Sequence, residues 1–203
     1  MNIVLLGDSI FDNSSYVPGE PSVIEQLRSL LPSGSTATLL AVDGSVTNEV
    51  VKQAARLPAD ASHLIVSSGG NDALHASIFL DQPGNLLAML AVAQEEFRID
   101  YRRLLQTLRK TSKPTVACTI YDSIPALASE KKTALSIFND VIVSEASRFG
   151  FPVIDLRPLC NETGDYSALS PIEPSSRGGM KIATRIARVA QGFGFKFPWT
   201  ILL

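Results

Sequence analysis

Histidine is nearly missing from this 203-residue chain: there are two, His63 and His75, and none follows position 75. An imidazole base in the later part of the sequence is thereby excluded. Cysteine is equally scarce, with only Cys118 and Cys160 and no metal-ligand spacing between them. A disulfide-stapled scaffold is excluded, no metal or cofactor is expected, and both thiols read as small fillers in or near the core. Neither sign of charge dominates, since 18 Lys and Arg against 20 Asp and Glu leave a net charge of -2. The densest basic pairs, Arg102-Arg103 and Lys131-Lys132, read as solvated helix faces, so nucleic acid is not an expected partner. No apolar run approaches the ~18 residues that a membrane span needs. Met1 leads within one residue into a first strand without a charged leader, and a cytoplasmic location is expected. Repeats, low-complexity tracts and linkers are missing too, which predicts one domain over residues 1–203.

The 45% of hydrophobic residues falls into short apolar runs alternating with longer periodic stretches. Ile3-Val4-Leu5-Leu6 ends at Gly7 and reads as a buried strand. Further strands are expected at 38–42, 63–68, 114–120 and 152–156. Between them, helical spacing runs from Pro21 through Leu31, over 48–57, over 86–109 with Leu90, Phe97, Tyr101, Leu104 and Leu108 on one stripe, and over 130–149. A last helix is expected from Gly178 through Val189. Five repeats of strand and helix with short joins predict an α/β fold: a parallel sheet, helices on both faces and right-handed crossovers. In the stretch 192–203, Phe193, Phe195, Phe197 and Trp199 alternate as an extended tail. Such a tail needs a surface, either its own body or a twin subunit in a homo-oligomer, and less readily a crevice over which it forms a flap.

Three glycine-containing turns follow the first three strands: Gly7-Asp8-Ser9, Asp43-Gly44-Ser45 and Gly69-Gly70-Asn71-Asp72. In an open parallel sheet the carboxyl ends of neighbouring strands form the ligand crevice, so these turns are expected to meet. Acyl transfer needs a nucleophilic oxygen and donors aimed at the oxyanion formed on attack. Ser9 can supply the first, although a capping or turn serine is the plainer role for one in this place. The backbone N–H of Ser9 and Gly44 and the amide of Asn71 can supply the second. A glycine at position 44 would let the substrate approach the backbone closely. Asp8 adjoins the nucleophile, and Asp12 and Asn13 in the loop 11–19 could reach a ligand or could satisfy that loop's own backbone.

With these blocks in order, the sequence resembles the SGNH or GDSL hydrolase superfamily over essentially its whole length. Gly7-Asp8-Ser9-Ile10, Gly44 and Gly69-Gly70-Asn71-Asp72 carry the likeness. The resemblance implies a three-layer flavodoxin-like fold with a five-stranded parallel sheet. It also implies metal-free esterase, lipase, thioesterase or deacetylase chemistry on a small-molecule ester or acyl substrate.

The fourth block departs from the family. Where Asp-x-x-His is expected before the last helix, this chain reads Ser170-Pro171-Ile172-Glu173-Pro174-Ser175. Glu173 could serve as the base itself, being about two pK units weaker than histidine before any effect of burial. His75, four residues beyond Asn71, could replace the lost base. Alternatively catalysis is lost, the pocket only binds, and Arg177 ties Glu173 into an ion pair. The expectation adopted is a serine ester hydrolase with Ser9 as nucleophile, Gly44 and Asn71 as oxyanion donors and Glu173 as base. Its alternative is a non-catalytic binding module on the same fold.

Overall fold

Strand β1, Asn2–Gly7, is the spine of the molecule, and Ile3, Val4, Leu5 and Leu6 have no exposed surface. Burial on both faces is what four consecutive apolar residues require of a strand. The structure, a computed structural model, describes residues 1–78 and 83–192. Around β1 the sheet adds β2 (Thr36–Leu39), β3 (His63–Ser67), β4 (Thr115–Cys118) and β5 (Val153–Ile154), all parallel, in the order β2-β1-β3-β4-β5. This is the flavodoxin-like order, whose connections diverge between β1 and β3 and open a crevice at their carboxyl ends.

The helices are α1 (Val23–Leu30), α2 (Thr47–Gln53), α3 (Gly70–Ala76), α4 (Leu86–Lys110), α5 (Ser129–Phe149) and α6 (Ser176–Gly192). Alternation along β1 sends Ile3 and Leu5 to one face, where they meet Val23 and Leu27 of α1 and Ile182 and Ile186 of α6. Val4 and Leu6 point to the other face and join Val50 of α2, Phe97 and Leu104 of α4, and Phe138 and Ile142 of α5. The three-layer α/β fold expected from the sequence is therefore present. None of the described helices is long and apolar enough to cross a membrane.

Element ends differ from expectation where hydrogen bonding overrides hydrophobicity. β2 begins at Thr36 and leaves the ladder after Leu39, because the N–H groups of Leu40 and Ala41 both turn to Leu5 O and that of Val42 to Gly7 O. The second helix stops at Gln53 and tightens into a single turn over Ala54–Arg56. α1 begins at Val23 rather than Pro21, since Ser22 and Glu25 form a reciprocal cap there. Cys118 and Cys160 are both buried and unpaired. The aromatic tail after Gly192, and with it the expected homo-oligomer contact, lies outside the described residues.

Candidate active site

The turn after β1 is built by Gly7. Its φ of +140° is one that side chains rarely adopt, and a Cβ there would lie 1.9 Å from Ser67 O of the neighbouring strand. Only glycine lets β1 run this close to β3 and then turn. One helical turn comes next, with the N–H groups of Phe11 and Asp12 both donating to Asp8 O at 3.1 Å, and it presents Ser9 at the crevice. Asp8 beside it is buried, with Oδ1 accepting the Ile10 N–H at 3.1 Å. Burial pushes its carboxyl up to about 7, helped by the negative charges of Asp72 and Asp43 and opposed by the Ile10 N–H.

The second and third turns meet the first. Asn71, in the first turn of α3, donates from Nδ2 to Ser45 O at 3.0 Å, which ties it to the residue after Gly44. A carboxamide nitrogen carries two hydrogens, so a second N–H remains for a ligand. Gly44 has a φ of +77° and nothing within 4 Å of where a Cβ would sit. The left-handed backbone by itself favours glycine here, and the open space beside it leaves room for a substrate. Asp12 binds this loop, accepting the Asp43 N–H through Oδ2 at 3.0 Å. Asn13 is fully buried, accepting the Val23 N–H and donating to Pro174 O at 3.1 Å. Both side chains are engaged by backbone, but of other segments and not of the loop 11–19 itself.

Glu173 sits in a loop braced from three sides. Ser167 N–H donates to Glu173 O at 2.9 Å, the Tyr121 hydroxyl donates to Ile172 O at 2.6 Å, and Asn13 holds Pro174. Only 5% of Glu173 is exposed, and its Oε2 is buried without a hydrogen-bond partner. Burial raises its pKa, and the charge of Asp43 adds to this, while the Ser170 and Ser9 hydroxyls face the carboxyl and favour the ionised form. Ser170, in the place of the family's aspartate, also accepts the Glu173 N–H through its backbone carbonyl at 3.2 Å.

Two expectations about partners change. Arg177 does not pair with Glu173; it bonds Glu162 and lies 3.7 Å from the buried Asp165, a cluster that Lys181 joins. His75 is exposed and shares a separate depression with Asp72, Glu96 and Asp100, away from the wall that carries Ser9. Helical spacing alone stacks residue 75 one turn along from Asn71, but His75 lines the depression toward Glu96 and Asp100 of α4 and not the cavity of Ser9.

Asp8, Ser9, Asn71 and Glu173 all line one cavity of about 380 Å³. The rest of its wall is almost entirely apolar: Ala73, Leu74 and Ala76 of α3, Leu90 of α4, residues 124–128, and Ala134, Leu135 and Phe138 of α5. Nothing in the sequence marked the wall from α3 and α5, whose apolar residues could not be told from ordinary core.

A doubly wound parallel sheet with a serine at the switch-point crevice defines the class. The chain matches the model of the GDSL-like lipase/acylhydrolase family over residues 5–178, and it belongs to that family. Its fold is similar to that of a lipase from a goat rumen metagenome, with a TM-score of 0.75 and 18% identity over 97% of this chain and 100% of that one. It is also similar to an extracellular lipase of Streptomyces rimosus, with a TM-score of 0.66 and 17% identity over 92% and 99%. An acetyl xylan esterase gives a TM-score of 0.70 and 16% identity over 92% and 98%. No curated protein matches the chain by sequence.

Proposed function

We propose that the protein is a serine hydrolase of esters with an apolar acyl group, in which Ser9 is the nucleophile and Glu173 the general base. The observation that carries this reading is that Ser9, Asn71 and the buried Glu173 line one otherwise mostly apolar cavity. Membership of a lipase and acylhydrolase family supports ester chemistry. In the first half-reaction Ser9 Oγ bonds to the carbonyl carbon while its proton passes to Glu173. The oxyanion is met by the N–H groups of Ser9 and Gly44 and by Asn71 Nδ2. Collapse breaks the bond to the alcohol oxygen, which takes the proton from Glu173 and leaves an acyl-serine. Water then repeats the sequence, giving its proton to Glu173 and releasing the acid. The buried free thiols of Cys118 and Cys160 suit a reducing compartment, in keeping with a cytoplasmic enzyme.

The test is labelling with diisopropyl fluorophosphate, followed by intact mass. Ser9 oxygen bonds to phosphorus, the P–F bond breaks, fluoride leaves and the serine proton goes to the base. Wild type should gain one label, Ser9→Ala none, and Glu173→Gln should react at least about tenfold more slowly. Folded wild type that takes up no label at any pH would instead favour the non-catalytic binding module.

A further inference from the structure

Two backbone positions at the carboxyl edge of the sheet extend past their neighbouring strands. Gly7 is the last residue of β1, whereas β2 stops at Leu39, opposite Leu5. Ile120 lies two residues beyond Cys118, where β4 ends. At Gly7 the chain beyond β2 still gives the Val42 N–H to Gly7 O, and at each place a carboxamide from a helix supplies pairing that the ended strand does not. Gln53 of α2 accepts the Gly7 N–H through Oε1 at 2.8 Å and donates from Nε2 to Gly7 O at 2.8 Å. Asn139 of α5 accepts the Ile120 N–H through Oδ1 at 2.8 Å and donates from Nδ2 to Ile120 O at 2.9 Å. Both side chains are buried. A carboxamide is a neutral copy of the peptide group, so it pairs both backbone groups without bringing a charge into the interior.

The chain downstream of each clamped residue gives the two contacts different consequences. Gly7 stands two residues before Ser9, and Gln53 Nε2 also lies 3.4 Å from Ser45 Oγ. Ser45 in turn comes after Gly44, and its carbonyl holds Asn71. Ile120 precedes Tyr121, whose hydroxyl fixes Ile172 O beside Glu173. One clamp therefore leads to the nucleophile and the oxyanion donors, and the other leads to the base.

We propose that Gln53 and Asn139 are positioning residues, Gln53 setting the nucleophile and oxyanion half of the site and Asn139 the base half. The proposal rests on the serine-hydrolase reading. An effect routed through Glu173 must vanish when Glu173 can no longer take a proton, while one routed through Ser9 must persist.

The experiment measures diisopropyl fluorophosphate labelling rates for Gln53→Met and Asn139→Leu, alone and combined with Glu173→Gln, on protein shown to be folded by circular dichroism. Where these variants do not fold, Gln53→Glu and Asn139→Asp, which keep shape and acceptor, take their place. Each single change should slow labelling at least about tenfold. In the Glu173→Gln background the Asn139 effect should shrink to within about twofold, and the Gln53 effect should remain. Folded variants that label at the wild-type rate overturn the proposal, as do two effects that both persist with Glu173→Gln. If wild type itself takes no label, the hydrolase reading falls and amide hydrogen exchange decides the clamps separately. Faster exchange confined to Gly7 through Ser9 in Gln53→Met, and to Ile120, Tyr121 and the loop of Glu173 in Asn139→Leu, supports them. Uniform or unchanged exchange overturns them.

Discussion

Ser9 and Glu173 line the same cavity, and one oxygen of the Glu173 carboxyl, Oε2, is buried without a hydrogen-bond partner. An acceptor left open beside a nucleophile is suited to taking its proton, because no other donor competes for that oxygen. The consequences for pH, stability and backbone strain can each be measured.

Glu173 accepts a proton only when ionised, so labelling of Ser9 should fall by about tenfold per pH unit below its pKa. Burial holds that pKa above the ordinary 4.5, and the acid limb should lie above it as well. Ser170→Ala removes a hydroxyl that favours the ionised form and should move the limb to higher pH. His75→Ala, altering an exposed residue of another depression, should leave both rate and limb unchanged. A limb that tracks His75 and ignores Ser170 would reassign the base.

Asp8 has its carboxyl pushed up to about 7, against an ordinary 3.8. As pH rises past 3.8 the unfolded chain loses this proton while the folded protein keeps it, so the group lowers stability progressively until about 7 and by a constant amount above it. Asp8→Asn keeps the acceptor for the Ile10 N–H and cannot ionise. Urea unfolding should show the variant more stable than wild type by roughly 2–4 kcal/mol at pH 8, with the gap closing toward pH 4. A variant that is less stable at pH 8 would mean that the carboxylate is useful in its charged form.

The two glycines of the site should respond differently to alanine. At Gly7 the new methyl meets Ser67 O at 1.9 Å, and Gly7→Ala should cost more than about 3 kcal/mol or prevent folding. At Gly44 space is open and only the φ of +77° is strained, so the cost should be about 1–2 kcal/mol. Because alanine keeps the N–H, Gly44→Ala should still label with diisopropyl fluorophosphate once folded. Chemical denaturation of the two variants, with labelling of the second, checks both outcomes.

The alternation of apolar strands with periodic helices determined the fold by itself, because burial on two faces forces continuous apolar strands and a covering helix layer shows its own 3.6-residue period. That Ser9 and Asn71 would fall in turns at strand ends was likewise legible, since such turns depend on local glycines, while Glu173, which lines the same cavity, was placed there only by the family resemblance. Other features depend on groups far apart in the chain. That Asn13 braces Pro174, that Arg177 turns to Glu162 and that His75 faces away from Ser9 were decided only by tertiary packing. Gln53 left a faint trace as a polar residue three positions after Val50 on a buried helical face, but its partner, the backbone of Gly7, is 46 residues away. A side chain's hydrogen-bond partner across such a distance is set by how the helices settle on the sheet, and the sequence carries no local signal for it.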